Sequence, residues 1–262
     1  MVVCMKVVPK PEEIRVDRET MRLDRASARS EMNPPDMNAL EMALGLKDRF
    51  GGRISILSMG PPFFSQFLPL GLAMGADHIY LLSDRSFGGA DTLATTYTLA
   101  QGVKKIGGVD LIFCGEESSD GATGQVPPGL AEWLGMNQIT FVGRLEYEPD
   151  RNVVRGRREI PGGHQLVETP LPAVISVVTA SNEPRFMDYR IKAWAFQDQR
   201  ITVWSAAELE AEEDHIGELG SPTIVSGLEQ APSRERKREF LEGTPDGIAL
   251  QLAEILQDQL RA

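Results

Sequence analysis

The stretch VDLIFCGEESSDGATGQVPPGLAEWL, residues 109–134, decides the fold. It begins with an almost wholly apolar run, residues 109–114, which predicts a buried β-strand. A polar loop with glycines follows at residues 115–122, and residues 125–134 predict a short helix. A buried strand that leads through a loop into a helix is typical of a parallel sheet covered by helices.

The first half of the chain repeats this alternation of strand and helix. Strands are predicted at residues 1–8, 53–59 and 78–82, and helices at residues 38–47, at residues 65–74 and after Asp91. Asn38 and Asp91 are the predicted N-caps, because short polar side chains accept hydrogen bonds from the first turn of a helix. The sequence therefore predicts an α/β fold with a Rossmann-like parallel sheet and helices on both faces.

After residue 140 the pattern changes to short alternating segments separated by turns. They lie at residues 141–147, 153–160, 165–168 and 173–178, and they predict a short antiparallel extension. Regular alternation is lost beyond residue 181. Only at the C-terminus does the sequence again predict a regular element, a helix with Thr244 as N-cap and Pro245 at its first position. This last part is either a disordered tail or an arm around a partner, and its aromatic residues favour the arm.

Composition and charge restrict the class of protein. The chain has 262 residues, a formal net charge of -11 and a pI near 4.9, which argues against nucleic acid or an anionic membrane as partner. Cys4 and Cys114 both lie in apolar runs, which indicates a reducing compartment. No apolar run approaches the ~18 residues of a membrane helix, and the first residues lack a signal-peptide pattern. We expect a cytoplasmic protein without direct membrane insertion.

Several well-known sequence motifs are absent. The chain has no Gly-x-Gly-x-x-Gly after a strand, no P-loop, no Cys-x-x-Cys, no His-Glu-x-x-His and no Gly-x-Ser-x-Gly. Its three histidines, His78, His164 and His215, are scattered along the sequence. We therefore predict neither a metal site nor catalytic residues.

The loop Asp120-Gly121-Ala122-Thr123-Gly124-Gln125 is the strongest candidate for a ligand site. Its glycines allow close approach of the backbone, Thr123 offers a hydroxyl, and the N–H groups of the helix start attract phosphate oxygens. The alternative is an ordinary connection whose glycines only make the turn. In open α/β sheets, ligands bind outside the carboxyl ends of the strands. That rule adds the turn after Val8, residues 33–36 and residues 58–60.

Eight short pieces of the sequence together resemble a known family. They are residues 32–34 with 38–41, 57–61, 73–77, 89–94, 120–121 with 123–125, 158–160 with 162–163, 171–174 and 182–185. Met-Gly-Ala-Asp at residues 74–77 and Asn-Glu-Pro-Arg at residues 182–185 are the most specific. In this order they resemble the beta subunit of electron-transfer flavoproteins. The resemblance implies an adenine nucleotide alpha-hydrolase-like fold.

The resemblance also implies cofactors and partners. Members of this family pair with an alpha subunit that carries a redox-active FAD, and they shuttle electrons between flavin dehydrogenases, often acyl-CoA dehydrogenases, and downstream acceptors such as quinone reductases or ferredoxin-type proteins. In this chain the resemblance implies a buried adenine-nucleotide site. By position it would be formed by Cys4, Lys6, Asn33, Asp36, Met59, Asp120, Gly121, Ala122, Thr123, Gly124 and Gln125.

Two branches of the family differ in the nucleotide they hold at this site. One holds AMP as a structural ligand, and the other, FixA-like branch holds a second FAD and bifurcates electrons. The loop resembles the FAD type at Asp120, Gly121, Thr123, Gln125, Val126 and Pro128. It departs at Ala122, where an acidic residue is usual, and at Pro127, where a glycine is. We favour FAD, with AMP as the alternative; a stand-alone adenine-nucleotide enzyme is a further alternative.

The segment around Arg185 lies where the family has its recognition loop for the dehydrogenase. The residues that would bind the partner are Glu183, Arg185, Phe186, Met187, Tyr189 and Ile191. Exposed aromatic and methionine side chains are typical of protein interfaces, although a loop packed on the chain's own arm remains the alternative. We therefore predict a nucleotide-binding α/β domain at residues 1–180. Residues 181–262 form a predicted partner-wrapping arm with a recognition loop and a C-terminal helix.

Overall fold

This computed structural model describes residues 1–10, 15–17, 22–24, 29–197, 200–223 and 240–261. The strands are β1 (Val2–Cys4), β2 (Val7–Pro9), β3 (Arg15–Asp17), β4 (Arg22–Asp24), β5 (Ser30–Met32), β6 (Ser55–Met59), β7 (His78–Leu82), β8 (Leu111–Gly115), β9 (Asn137–Glu148), β10 (Val153–Ile160), β11 (Gly163–Pro170), β12 (Ala173–Val177) and β13 (Ile201–Trp204). The helices are α1 (Pro34–Phe50), α2 (Pro69–Met74), α3 (Thr92–Ile106), α4 (Val126–Leu134), α5 (Tyr189–Gln197) and α6 (Pro245–Arg261). None of these described helices is long and apolar enough to cross a membrane.

Nine strands form one twisted sheet in the order β11-β10-β9-β12-β8-β1-β6-β7-β13. The strands from β12 to β13 pair in parallel, and β9, β10 and β11 pair in antiparallel fashion. The twelve-residue β9 joins both parts, because its first half is parallel to β12 and its second half pairs with β10. The predicted α/β fold is confirmed, and the antiparallel extension continues the same sheet.

Helices cover both faces of the parallel part. On one face Val3, Ile56 and Phe113 pack with the buried residues of α1 and α2. On the other face Val2 and Ile112 pack with those of α3 and α4. Successive strand residues point to opposite faces of a sheet, so a strand covered on both sides must be apolar throughout. This requirement explains the unbroken apolar runs in the sequence.

The order of the strands reverses between β1 and β8. From β1 the chain moves outward through β6 to β7, and it then returns to place β8 on the other side of β1. At such a reversal the two connections leave the sheet in opposite directions and open a crevice beyond the carboxyl ends of the strands. The crevice in this protein therefore lies beyond Cys4 and Gly115.

The predicted strand at residues 1–8 is wrong as a single element. It divides into β1, in the large sheet, and β2, which pairs with β5 in a separate two-stranded sheet. The chain is diverted at Lys6, whose N–H donates to Asp36 Oδ2 at 2.8 Å and whose carbonyl accepts from Asn33 N–H at 2.8 Å. These contacts are remote in sequence, so the apolar run could not reveal them.

The predicted N-cap Asn38 is also wrong. Helix α1 begins at Pro34, and Asn33 occupies the N-cap position without a capping hydrogen bond from its side chain. Proline is well tolerated in the first turn of a helix, because the N–H groups there have no partner within the helix. Asn38 instead lies inside the helix, where its buried side chain donates to the Asn182 carbonyl at 2.7 Å.

Two other elements differ from their predictions. The helix predicted at residues 65–74 consists of a 3₁₀ turn, Pro62–Gln66, and then α2, because Pro69 lacks an N–H and suits a helix start. The segment at residues 173–178 was predicted as part of the antiparallel extension. Instead β12 is fully buried and runs parallel to both β8 and β9.

The residues after 181 contribute to the same sheet. Strand β13 pairs in parallel with β7 as an edge strand. The chain divides into two compact units, Met1–Leu228 and Glu229–Ala262, and this division does not coincide with the predicted boundary after residue 180. The second unit holds α6, where Thr244 Oγ1 accepts from Gly247 N–H at 3.3 Å as the predicted N-cap. The role of residues 181–262 as a partner-wrapping arm stays a prediction.

Candidate functional site

A cavity of about 460 Å³ opens beyond the carboxyl ends of β1 and β8, at the reversal of strand order. The turn after β1, the start of α1, the loop after β7 and the loop after β8 form its walls. The predicted site residues that line it are Cys4, Lys6, Asn33, Asp36, Met59, Asp120, Gly121, Thr123 and Gly124. Ala122 and Gln125 belong to the same loop but do not line the cavity. The structure thus brings together segments far apart in the sequence.

Asp36 holds the floor of the cavity. Its Oδ2 accepts from Lys6 N–H at 2.8 Å and its Oδ1 accepts from Gly115 N–H at 3.1 Å, so one buried carboxyl joins the ends of β1, β8 and α1. Burial raises the pKa of Asp36 to about 7, although hydrogen bonds from these N–H groups and from Asn33 favour the ionised form. This side chain therefore titrates close to neutral pH.

Gly115 makes this arrangement sterically possible. A Cβ at this position would lie 2.6 Å from Asp36 Oδ1 and 2.6 Å from Pro35 Cβ. Any larger residue would force the first turn of α1 away from the end of β8. The glycine is therefore required for close approach of backbone elements, as is common where a ligand site is built from packed chain ends.

Asn33 and Lys6 position the loop after β8. Asn33 Nδ2 donates to the Glu117 carbonyl at 2.9 Å, and Asn33 Oδ1 accepts from Ser119 N–H at 3.1 Å. Lys6 Nζ forms an ion pair with Asp120 Oδ1 at 2.6 Å. The Asp120 side chain is only 5% exposed, so it is largely removed from water. The polar residues predicted from the sequence thus hold the loop as well as lining the cavity.

The loop presents backbone N–H groups to a ligand. Gly124 has φ +63° and Ala122 has φ +46°, and the N–H groups of Gly121 and Ala122 are used internally by the Ser118 carbonyl. Within the part of the chain that the structure describes, the N–H groups of Thr123, Gly124 and Val126 donate to no protein acceptor. Such N–H groups, in a turn before a helix start, favour phosphate oxygens. The N-cap side chain of helix α4 accepts no capping hydrogen bond, so it does not compete with a ligand for these N–H groups.

A further wall of the cavity was missed from the sequence. It comes from the loop after β7 and the start of α3, and its members are Phe87, Gly89, Ala90, Asp91, Thr92, Thr95 and Leu99. The predicted capping by Asp91 is confirmed, since Asp91 Oδ1 accepts from Leu93 N–H at 2.9 Å and Ala94 N–H at 3.1 Å. The carboxyl-end rule, applied also to the strand at residues 78–82, would have indicated this loop.

The two cysteines lie side by side under the cavity. Cys4 ends β1, Cys114 occupies the adjacent position in β8, and both are buried free thiols. A hydrogen bond with Cys4 and burial raise the pKa of the Cys114 thiol. The protonated thiol behaves as a small apolar group, so this part of the lining is apolar.

The predicted partner-binding residues occupy different environments. Arg185 is turned toward α1, where its guanidinium contacts Glu41 at 2.9 Å and Asp48 at 2.8 Å. Its hydrogen bonds with Glu41 and Asp48 raise the pKa of Arg185 above its ordinary value. Beyond it, Phe186 is 99% exposed and Tyr189 is 78% exposed. Glu183 is exposed, Ile191 is half-buried and Met187 packs against the core. Arg185 thus anchors the segment, and the aromatic residues project from it.

Residues 20–209 match the family model described as the electron transfer flavoprotein domain, which covers more than half of the chain. The chain belongs to the electron transfer flavoprotein family. Its sequence relatives indicate which subunit it is, because they include proteins named as beta subunits. The resemblance that the eight short pieces predicted is therefore confirmed.

Three relatives illustrate the similarity. The chain is 42% identical to the electron transfer flavoprotein subunit beta of Clostridium acetobutylicum, over 86% of this chain and 85% of that protein. It is 40% identical to protein FixA of Bradyrhizobium diazoefficiens, over 92% and 85%. It is 36% identical to the caffeyl-CoA reductase-Etf complex subunit CarD of Acetobacterium woodii, over 99% and 98%. The similarity spans nearly the whole of both chains, so this chain is an electron transfer flavoprotein beta subunit.

Proposed function

We propose that this beta subunit binds FAD in the cavity beyond β1 and β8 and pairs with an alpha subunit that carries a second, redox-active FAD. The heterodimer passes electrons between a flavin dehydrogenase, such as an acyl-CoA dehydrogenase, and a downstream quinone reductase or ferredoxin-type acceptor. In this proposal the chain is an electron-carrier subunit that takes part in electron bifurcation. Family membership supports the carrier role, and the cavity supports the nucleotide.

The observation that carries the nucleotide assignment is the set of N–H groups of Thr123, Gly124 and Val126 at the start of α4. These hydrogen-bond donors are not used by acceptors of the described protein residues, and they belong to the same cavity lining as Lys6. A ligand in the crevice would place its phosphates there. Apolar side chains such as Met59 and Leu99 also line the cavity. A lining that combines donor N–H groups with apolar side chains suits a nucleotide, which has both phosphates and a flat ring.

The charges of the lining favour FAD over AMP. Lys6 is paired with Asp120. The other ionisable carboxyls of the lining are Asp36, Asp91, Glu116 and Glu117. AMP ends in a phosphate monoester, which concentrates about -1.5 to -2 charges on one group at neutral pH. In FAD the pyrophosphate is a diester that carries a single charge on each phosphate. A lining with one paired lysine and several carboxylates is better matched to the diester.

The bound flavin would supply the electron chemistry, and the residues of this chain would hold it and exclude water from it. Lys6 and the loop N–H groups would hold the phosphates of the cofactor. The apolar lining would surround the remaining buried part of the same molecule. The proposal of bifurcation rests on the resemblance of residues 120–128 to the FAD-type loop of the family. A non-bifurcating beta subunit with structural AMP is the alternative.

The state of the two cysteines supports a cytoplasmic location for this protein. Cys4 and Cys114 are adjacent and remain free thiols, which suits a reducing compartment. The exposed Phe186 and Tyr189 support a dehydrogenase-binding role for their segment. A stand-alone adenine-nucleotide enzyme is disfavoured, because the turn after β1 has no phosphate-binding glycines.

The nucleotide content of the purified heterodimer tests this function. After heat or acid release, chromatography should give two FAD molecules per heterodimer and no stoichiometric AMP. One FAD with one AMP would contradict the FAD assignment and the bifurcating role, while it would leave the carrier role intact. No adenine nucleotide beyond the alpha-subunit FAD would contradict the site itself. Protein absorbance and amino-acid analysis provide the heterodimer concentration.

A further inference from the structure

A short segment from the C-terminal half of the sequence reaches the cavity. We call residues 217–223 the strap. It follows the buried Ile216, makes a turn in which Gly220 N–H donates to the Ile216 carbonyl at 2.9 Å, and ends at Thr223, which lines the cavity. It lies more than 90 residues after the phosphate-binding loop in the sequence. None of the sequence patterns indicated this contact.

The strap packs closely on the loop after β7. Gly217 has φ +55°, and a Cβ there would collide with the Ser86 carbonyl. A Cβ at Gly220 would collide with the backbone of His215. Because backbone meets backbone at these points, the close packing of the strap requires glycine at both positions. The strap delivers Ser221 and Thr223 to positions beside the cavity.

Two hydroxyl side chains fasten the strap to Asp91. Ser221 Oγ accepts from Asp91 N–H at 2.8 Å and donates to the Gly217 carbonyl at 2.6 Å. Thr223 donates twice to Asp91 Oδ2, from Oγ1 at 2.7 Å and from N–H at 3.2 Å. The other oxygen of Asp91 caps α3. Although burial opposes it, hydrogen bonds from Thr223, Ala94 and Leu93 hold the pKa of Asp91 below its ordinary value.

Asp91 also connects the strap with the opposite loop. The next residue, Thr92, donates from Oγ1 to Thr123 Oγ1 at 3.3 Å, and Thr123 belongs to the loop that offers N–H groups to phosphate. A chain of hydrogen bonds and one peptide link thus runs from Thr223 through Asp91 and Thr92 to Thr123. These four residues all line the cavity. The strap and the loop are therefore connected through Asp91 and Thr92 along the cavity lining.

We propose that the strap is a wall of the nucleotide site and that Thr223, held by Asp91, is a positioning residue that retains the bound nucleotide. This inference rests on the proposed function, because it assumes that the cavity holds an adenine nucleotide. The nucleotide leaves when the strap separates from the loop after β7. The bond from the Thr223 hydroxyl to the Asp91 carboxylate therefore limits the rate of release.

Thr223→Val in the purified heterodimer tests the proposal, because it removes the hydroxyl and retains the shape of the side chain. Bound nucleotide is released by dilution into excess unlabelled FAD or AMP, and its dissociation rate is followed by flavin fluorescence or by radiolabel. We expect release to accelerate about tenfold, the usual effect of one hydrogen bond to a charged group. Ser221→Ala, which removes the second fastening, should accelerate release in the same direction.

Thr202→Val is the matched control. Thr202 also has a bonded hydroxyl, 2.8 Å from His78 Nε2, but it lies on β13 and does not line the cavity. The Thr202→Val heterodimer should release its nucleotide at the wild-type rate. The melting temperatures of all three variants should differ from that of the wild type by no more than a surface substitution usually causes. Equal release rates for Thr223→Val, Ser221→Ala and Thr202→Val would overturn the proposal. A wild-type heterodimer without nucleotide in this subunit would instead overturn the proposed function.

Discussion

At the scale of single residues, Asp36 is a buried carboxyl that joins separate chain segments and also makes the stability of the fold depend on pH. Both of its oxygens accept backbone N–H groups, from Lys6 and from Gly115. Its pKa of about 7 means that the folded protein retains a proton that the unfolded chain releases near pH 3.8. Stability from this group is therefore fully present below pH 3.8 and is lost as pH rises toward 7.

Asp36→Asn should destabilise the protein by about 1–3 kcal/mol at low pH, because an amide replaces one acceptor with a donor that faces a backbone N–H. The deficit relative to wild type should shrink between pH 4 and pH 7, by at most about 1.4 kcal/mol per pH unit, because only the wild type loses stability there through Asp36. Urea unfolding at several pH values measures this. A deficit that is constant or grows with pH would contradict the assignment.

Gly124→Glu should empty the nucleotide site and leave the alpha-subunit flavin in place. The substitution introduces a carboxylate beside the N–H groups of the loop, and it places a side chain where φ is +63°. Gly162→Glu is the control, because Gly162 has φ +79° and open space around it on the hairpin between β10 and β11. Released nucleotide should fall at least tenfold in the first variant only. Equal losses in both would indicate a general effect on folding.

At the scale of elements, α1 connects the cavity with the exposed aromatic segment. Its first turn carries Asp36. Further along the helix, the side-chain amides of Asn38 and Asn182 each donate a hydrogen bond to the backbone carbonyl of the other residue. Glu41 and Arg185 form the next contact along the helix. The helix thus fixes residues 182–185 with the same rigid body that forms the floor of the cavity. The segment that carries Phe186 and Tyr189 is consequently anchored to the same helix that lines the cavity.

Two glycine substitutions test how α1 meets the sheet. Gly115→Ala should lower the free energy of unfolding by about 1–3 kcal/mol and reduce nucleotide content, because its Cβ would displace Asp36 and Pro35. Gly45→Ala, in the middle of α1 with nothing within 4 Å of the added Cβ, should raise it by about 0.5–1 kcal/mol. Denaturant unfolding compares them. Destabilisation by both would show that the effect of Gly115→Ala is not specific to the contact between β8 and α1.

At the scale of the whole molecule, the second compact unit leaves apolar surface uncovered. Within α6, Leu252 is 47% exposed, Ile255 is 40% exposed and Leu256 is 50% exposed. They share one side of the helix with Ile248, as the sequence stripe predicted. An apolar stripe of this kind is typical of a helix that packs on another surface. The alpha subunit is the partner that the proposed function supplies.

Leu256→Asp should weaken the association of the two subunits at least tenfold, because it replaces an apolar contact with a charge that would have to be buried. The neighbouring exposed Gln257→Asp adds the same charge outside the stripe and should leave the affinity nearly unchanged. Titration of labelled subunits or analytical ultracentrifugation measures the dissociation constant. Identical affinities for the two variants would exclude the stripe from the subunit interface.

The sequence by itself determined the α/β class, the bounds of β7, the cap at Asp91 and the start of α6 at Pro245. These features depend on neighbours along the chain: apolar periodicity, capping side chains and proline positions act over a few residues. Nine of the eleven site residues that the family resemblance implied line one cavity. Residues 33–36, residues 58–60 and the loop at residues 120–125 were also expected at this place, because the carboxyl ends of parallel strands meet at one edge. That rule turns a sequence pattern into a location.

Only the tertiary structure decided the diversion of the chain at Lys6, the burial of Asn38, the parallel direction of β12 and the arrival of Thr223 at the cavity. Each depends on a partner remote in sequence, such as Asp36 for Lys6 or Asn182 for Asn38. An apolar segment is equally compatible with several strand partners, and a polar side chain with several acceptors. The choice among them is made by packing of the whole chain, which local patterns do not encode.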